Sequence, residues 1–118
     1  MVYYRHKKSV QHEKKIQNAI VDFLAFHGIF AWISWQPYIH GNRGHFFQHY
    51  HPSSSGVADI IGIFDGKPLA IEVKHGNGKT TKKQDEFLET FRKKGGIAFV
   101  AYGIDDVVKE LGLKTEVL

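Results

Sequence analysis

Residues 56–74 read GVADIIGIFDGKPLAIEVK, which is two apolar runs separated by a short polar break. The runs Val57 to Phe64 and Pro68 to Val73 are rich in β-branched residues and bounded by turn residues, so each predicts a β-strand. The break contains Asp65 and Gly66, a dipeptide that favours a two-residue hairpin turn. This stretch therefore predicts an antiparallel β-hairpin.

Three charged residues, Asp59, Glu72 and Lys74, interrupt this apolar hairpin. Because side chains alternate along a strand, Glu72 and Lys74 point to one face, and the hairpin returns Asp59 beside them. Two buried carboxylates repel each other and persist only if a cation compensates their charge. The carboxylates of Asp59 and Glu72 and the backbone carbonyl of Val73 are hard oxygen donors of the kind that Mg²⁺ binds. The cluster predicts phosphodiester hydrolysis, in which Lys74 orients or helps to deprotonate a water molecule.

Helical and strand-like patterns flank the hairpin on both sides. Together they predict the order α-β-β-β-α-β-α, an α/β fold in which helices flank a central, mixed, four-stranded sheet. The second helix is predicted to begin at Thr80 or Thr81, and Asp105 is predicted to cap the last helix. The remaining predicted elements are a helix over about Val10 to His27, a strand from Ile29 to Trp35, the continuation of the second helix to about Lys94, and a strand from Ile97 to Tyr102.

Two polar residues fall on the apolar stripes of the predicted helices. Glu13 lies three residues before Ile16, and Gln84 lies three residues before Phe87, so both are predicted to point inward. Other interpretations stay open for each. Glu13 could be an acidic residue favoured near the start of a helix by the helix dipole, and Gln84 could be a solvent-facing residue of a first turn.

The succession of an acidic residue, a hairpin, Glu-x-Lys and a helix carrying Gln84 resembles the PD-(D/E)XK nuclease superfamily, and its VRR-NUC family in particular. The resemblance extends from Gln11 to Tyr102 and implies a restriction endonuclease-like αβββαβ core. Ala58 stands where the motif has Pro, a residue that shapes the strand entry and supplies no ligand. The implied catalytic residues are Asp59, Glu72, Lys74 and Gln84; the implied metal ligands are Asp59, Glu72, the Val73 carbonyl and, directly or through water, Glu13.

The resemblance also implies an activity: an endonuclease that uses Mg²⁺, with Mn²⁺ able to substitute, and cuts DNA according to its structure. Small stand-alone members occur in phages and bacteria and resemble Holliday junction resolvases, which act as homodimers on branched DNA. We therefore expect a homodimer that cuts four-way junctions or flaps. Two alternatives stay open at this point: a non-catalytic nucleic-acid-binding adaptor of the same fold, and a restriction-type enzyme that cuts duplex DNA.

Length and composition set outer limits on these interpretations. The chain has 118 residues, 42% of them hydrophobic, and a net charge of +4, which predicts one domain over residues 1–118 and favours an anionic partner, although lysines also serve to solvate helix faces. The absence of cysteine excludes disulfides, thiolate metal sites and cysteine nucleophiles. No apolar run is long enough for a membrane span or a signal peptide, so we expect a cytoplasmic protein.

Candidate DNA contacts lie in two places. The turn-rich segment 37–56 carries four histidines, an arginine and four Phe or Tyr residues, and from it we predict DNA contacts by Arg43, His45 and His49. A surface loop, a dimer contact and a zinc site are the other interpretations, of which zinc is disfavoured because no cysteine assists. At the start of the second helix, Lys79, Lys82 and Lys83 are predicted to face the DNA backbone. Trp32 and Trp35 differ in parity, so one of them is predicted to be exposed for dimer packing.

Overall fold

The computed structural model describes residues 2–34 and 56–114. Within these ranges the chain forms three helices and four strands in the predicted order, which confirms the α/β class. The elements are α1 (Val2–Phe26), β1 (Phe30–Ile33), β2 (Ile60–Phe64), β3 (Lys67–Val73), α2 (Lys82–Lys93), β4 (Ile97–Ala101) and α3 (Ile104–Leu111). No helix of the described residues is long and apolar enough to cross a membrane.

The four strands form one mixed sheet in the order β1-β2-β3-β4. The pairs β1/β2 and β2/β3 are antiparallel, and β3/β4 is parallel. Asp65 and Gly66 both have positive φ angles, 52° and 78°. This is the conformation that matches a two-residue hairpin turn to the twist of its strands. The predicted hairpin and the predicted mixed sheet are confirmed.

The alternation of β3 divides the core into two layers. Leu69, Ile71 and Val73 are buried in the larger layer, against residues of α1 and α3. Ala70 points to the opposite face, where it packs with Leu88 of α2 in a smaller layer. Helix α2 therefore lies over β3 and β4, alone on its face among the described helices. Glu72 shares the parity of Ala70, so it lies on the α2 face of the sheet.

Several predicted boundaries differ from the structure. Helix α1 begins at Val2 because neither glycine nor proline interrupts the chain before Phe26. Strand β2 begins at Ile60. The prediction that Asp105 caps α3 is wrong: the N-cap is Gly103, which has no side chain to accept a capping hydrogen bond, and Asp105 lies in the first helical turn.

Candidate active site

The two hairpin carboxylates lie at the same end of the sheet. Ile60 pairs with Ile71, so the register brings Asp59, just before β2, opposite Glu72. Asp59 Oδ2 accepts a hydrogen bond of 2.8 Å from the backbone N–H of Val73. Its own carbonyl accepts one of 2.7 Å from the N–H of Ser34. These two bonds fix Asp59 between β1 and the end of β3, beside Glu72.

Glu72 is the buried charged residue of the described chain, with 2% of its surface exposed. Its Oε2 lies 3.7 Å from Lys74 Nζ and accepts a hydrogen bond of 3.1 Å from Gln84 Nε2. Its Oε1 is buried and has no hydrogen-bond partner among the described residues. A buried carboxylate oxygen without such a partner is costly, and that cost falls if the oxygen binds a cation or shares a proton with the adjoining Asp59 carboxyl.

Gln84 reaches Glu72 from the first turn of α2. The turn is closed by a capping box, in which Thr81 Oγ1 accepts from the Gln84 N–H and Gln84 Oε1 accepts from the Thr81 N–H. Gly56 packs beneath this turn with a φ of +73°, and a Cβ at this position would lie 2.5 Å from the carbonyl oxygen of Lys83. The local sequence thus fixes the start of α2 above the carboxylates.

Glu13 and two histidines border the carboxylates from the α1 side. Glu13 Oε2 lies 3.4 Å from His75 Nδ1, and the rings of His12 and His75 meet edge to face with centroids 5.4 Å apart. The Glu13 charge is close enough to raise the pKa of both Asp59 and Glu72. Glu13 was predicted to point inward. In the structure its side chain is partly buried and lies at the margin of the carboxylate cluster.

The electrostatics of the pair follow from burial and repulsion. Burial, followed by the charge of Asp59, raises the pKa of Glu72 to about 8, and the nearby Lys74 ammonium opposes this rise. Burial also raises the pKa of Asp59, although the hydrogen bond from Val73 stabilises its ionised form. A bound cation would oppose these shifts, because positive charge beside a carboxyl group favours its ionised form.

The donor set fits a hard divalent cation. Asp59 and Glu72 supply carboxylate oxygens. The carbonyl of Val73 points to the same side of β3 as its N–H, and that N–H donates to Asp59, so the carbonyl faces Asp59 as well. Within residues 2–34 and 56–114, no three His, Asp or Glu side chains converge closely enough to hold a metal ion alone. Two carboxylates, one carbonyl and several waters form the coordination that Mg²⁺ prefers in proteins.

Comparison with known proteins identifies the family to which this domain belongs. The family model of the VRR-NUC domain matches residues 8–105. The chain belongs to the VRR-NUC family. Its fold is similar to a solved structure described as a VRR_NUC domain protein, with 24% identity, a TM-score of 0.55, and coverage of 85% of this chain and 84% of that one. None of the curated protein sequences matches the chain. The family match confirms the predicted family, and the VRR-NUC domain is a nuclease-type domain.

The other predicted site residues of this VRR-NUC domain divide into two groups. Lys79, Lys82 and Lys83 are exposed, just before α2 and in its first turn, next to Gln84. Arg43, His45 and His49 lie outside the described residues. The DNA contacts of both groups stay predictions. The position of His75 directly after Lys74 predicts either a hydrogen bond to a phosphate or a turn residue, with equal weight, and the structure places His75 beside Glu13.

Proposed function

We propose that this VRR-NUC protein is a Mg²⁺-dependent endonuclease that hydrolyses phosphodiester bonds in DNA. The observation that carries the proposal is the environment of Glu72, whose Oε2 contacts Lys74 and Gln84 while its buried Oε1 has no partner among the described residues. A salt-bridge cluster built for stability would pair both oxygens of such a buried carboxylate. An oxygen left for a cation is what a metal-dependent hydrolase requires.

Each residue of the cluster has a role in this chemistry. Asp59, Glu72 and the Val73 carbonyl would hold Mg²⁺, which when bound supplies positive charge to the scissile phosphate and lowers the pKa of a water molecule. Lys74, with 12% of its side chain exposed and its Nζ 3.7 Å from Glu72 Oε2, would orient the attacking water and stabilise negative charge on the phosphorane. Gln84 fixes the carboxylate of Glu72 by donating to Oε2.

Branched DNA, such as a four-way junction or a flap, is the substrate that we propose. A four-way junction has two-fold symmetry, so a homodimer with one site per subunit would match it. The exposed Lys79, Lys82 and Lys83, at the start of the helix whose Gln84 contacts Glu72, would provide cations for phosphates of the approaching strand. Light scattering at assay concentrations tests the dimer.

Cleavage of synthetic four-way junction, flap and blunt duplex DNA tests the proposal, in Mg²⁺, Mn²⁺ or EDTA. We expect metal-dependent cutting that falls by about 10²- to 10⁴-fold in Lys74→Met and Glu72→Gln. Lys109→Met is the matched control, because this exposed lysine lies on α3, across the sheet from the site. Undiminished cutting by both site variants would overturn the assignment, and metal-independent DNA binding without cutting would point to an adaptor.

A further inference from the structure

An exposed aromatic surface shares the face of the sheet that carries the carboxylates. In the register of β1 and β2, Trp32 pairs with Ile61 and Phe30 pairs with Ile63. Ile61 packs against the α2 layer of the core, so Phe30, Trp32 and Ile63 all lie on the α2 face. We call these three residues the aromatic platform.

The platform is open in the structure. Phe30 is 69% exposed, Trp32 44% and Ile63 50%. Helix α2 packs over β3 and β4 and leaves these side chains on β1 and β2 exposed. The rings of Phe30 and Trp32 lie 5.3 Å apart at an angle of 52°. Adjoining exposed apolar side chains of this kind mark a binding surface more often than isolated ones do.

The platform leads directly into the catalytic end of the sheet. Trp32 lies two residues before Ser34, whose N–H donates to the carbonyl of Asp59 at 2.7 Å. At the rise of a β-strand, two residues span about 7 Å. A stacked nucleic-acid strand advances about 3.4 Å per nucleotide, so roughly two nucleotides separate Trp32 from the carboxylates.

The charge of the neighbouring residues favours nucleic acid over a second protein copy as the ligand of the platform. The platform and the first turn of α2 meet the same carboxylates: Ser34, two residues after Trp32, donates to the Asp59 carbonyl, and Gln84, next to the exposed Lys82 and Lys83, donates to Glu72. A second copy of this face would repeat the same cations, whereas a nucleic-acid strand carries phosphates that complement them. Aromatic rings beside such cations are the surface on which unpaired bases stack.

We propose that the aromatic platform binds unpaired bases of the DNA strand next to the scissile phosphate. A base would stack on Trp32, and the following base on the same side would stack on Phe30. The inference rests on the proposed nuclease function and narrows its substrate class: DNA with single-stranded character beside the cut, as at a flap or splayed end, is bound in preference to blunt duplex.

Intrinsic fluorescence tests the proposal. The chain has two tryptophans, so Trp35→Phe leaves Trp32 as the single indole. In EDTA, where no cleavage is expected, this protein is titrated with a single strand, a splayed duplex and a blunt duplex of matched sequence. We expect the first two to quench Trp32 emission and the blunt duplex to leave it unchanged. No quenching, or equal quenching by all three, would overturn the proposal.

Binding measured by fluorescence anisotropy provides the second readout. We expect Trp32→Ala to weaken binding of the splayed duplex by about 5- to 100-fold, and Trp32→Phe to restore most of it, because stacking needs a ring. Phe26→Ala is the matched control, since Phe26 is 87% exposed at the end of α1, the helix that packs against the other face of the sheet. If Trp32→Ala does not fold, the quenching measurement still decides, because it keeps Trp32.

Two further results separate the possible failures. A Trp32 emission that depends on protein concentration without DNA, together with a dimer in sedimentation that Trp32→Ala abolishes, would assign the platform to a second copy and overturn the proposal. Cleavage in Mg²⁺ without quenching would overturn the platform and leave the nuclease function standing. Quenching without any cleavage would support the platform and refute the nuclease function.

Discussion

Gln84 joins the start of α2 to the buried carboxylate of Glu72. Its Oε1 accepts a hydrogen bond of 2.9 Å from the Thr81 N–H, and its Nε2 donates one of 3.1 Å to Glu72 Oε2. One amide thus serves as the cap of a helix and as a support for a proposed metal ligand. Because both ends of the amide are occupied, the helix start and the carboxylate hold each other in position.

Replacement of Gln84 by Glu separates these two roles. Glu keeps an acceptor for the Thr81 N–H but places a carboxylate against Glu72 in place of the donor. We expect DNA cleavage to fall by about 10- to 100-fold, since a hydrogen bond to a charged group contributes about 1.5–3 kcal/mol. Thermal melting should show that α2 and the fold persist.

Thr81→Ala is the matched variant for Gln84→Glu. It removes the hydroxyl that accepts from the Gln84 N–H and leaves the donor to Glu72 in place. We expect a loss of about 1 kcal/mol in the free energy of unfolding, with cleavage retained. Equal losses of cleavage in the two variants would show that Gln84 acts through the helix cap alone.

The raised pKa of Glu72 predicts how the stability of the metal-free protein depends on pH. The pKa of Glu72 rises from 4.5 to about 8 on folding, so between these values the folded protein holds a proton that the unfolded chain has released. The free energy of unfolding should therefore fall as pH rises through this window, by at most about 1.4 kcal/mol per pH unit from this group. Asp59 shifts in the same direction. Urea denaturation in EDTA from pH 5 to pH 8 measures the slope, which should flatten in Glu72→Gln; an identical slope in that variant would refute the assignment.

Addition of Mg²⁺ should restore the stability lost at pH 8. A ligand that binds the folded state alone stabilises it by about 2.7 kcal/mol at a concentration of 100 times its dissociation constant. We expect Mg²⁺ to raise the melting temperature of the wild type at pH 8 and to have little effect on Glu72→Gln or Asp59→Asn. Differential scanning calorimetry measures this without any cleavage. An equal increase in all three proteins would mean that the cation binds elsewhere.

A substitution of Glu13, at the margin of the carboxylate cluster, tests whether this residue contributes to Mg²⁺ binding. Its carboxylate contacts His75 and still acts on Asp59 and Glu72 by charge. If it holds a water of the metal, Glu13→Gln should weaken Mg²⁺ binding by about 10- to 100-fold, as the loss of a residue that hydrogen-bonds to a metal ligand commonly does. The Mg²⁺ concentration at half-maximal thermal shift gives the answer. Glu110→Gln, on exposed α3 surface, should leave that concentration unchanged.

Gly56 and Gly66 form a matched pair for the packing of α2. Both have φ near +75°, at +73° and +78°, but a Cβ on Gly56 would meet the Lys83 carbonyl at 2.5 Å whereas one on Gly66 would meet nothing within 4 Å. Alanine at either position should cost about 1–2 kcal/mol for the left-handed backbone. Gly56→Ala should cost more, and it should reduce cleavage by displacing Gln84. Urea denaturation and the cleavage assay together compare the two; equal effects would exclude the clash as a cause.

Much of the fold could be predicted from the hairpin sequence because its signals are local. Alternation placed Glu72 and Lys74 on one face, and the Asp-Gly turn returned Asp59 to them. The first residue of β2 was harder to predict from the sequence. It depends on the pairing of Ser34 with Asp59, residues that lie far apart in the chain. The N-cap of α3 is Gly103, where Asp105 was predicted, because the backbone conformation after β4 decides where the helix begins. The contact between Glu13 and His75 joins α1 to the end of β3, which no spacing along the chain encodes.

The Asp65–Gly66 turn sets the register of the hairpin. The active site should therefore tolerate some substitutions in this turn better than it tolerates insertions. From the pair Phe64 and Lys67 to the pair Ile60 and Ile71, each residue of β2 meets one of β3. One residue inserted into the turn would shift β3 by one step and exchange its faces, sending Glu72 into the apolar layer and Val73 beneath α2. Substitutions that suit the left-handed backbone of Asp65 and Gly66, such as Asn or Gly, should therefore leave the site intact, whereas an insertion that shifts the register by one residue would dismantle the site at the far end of β3.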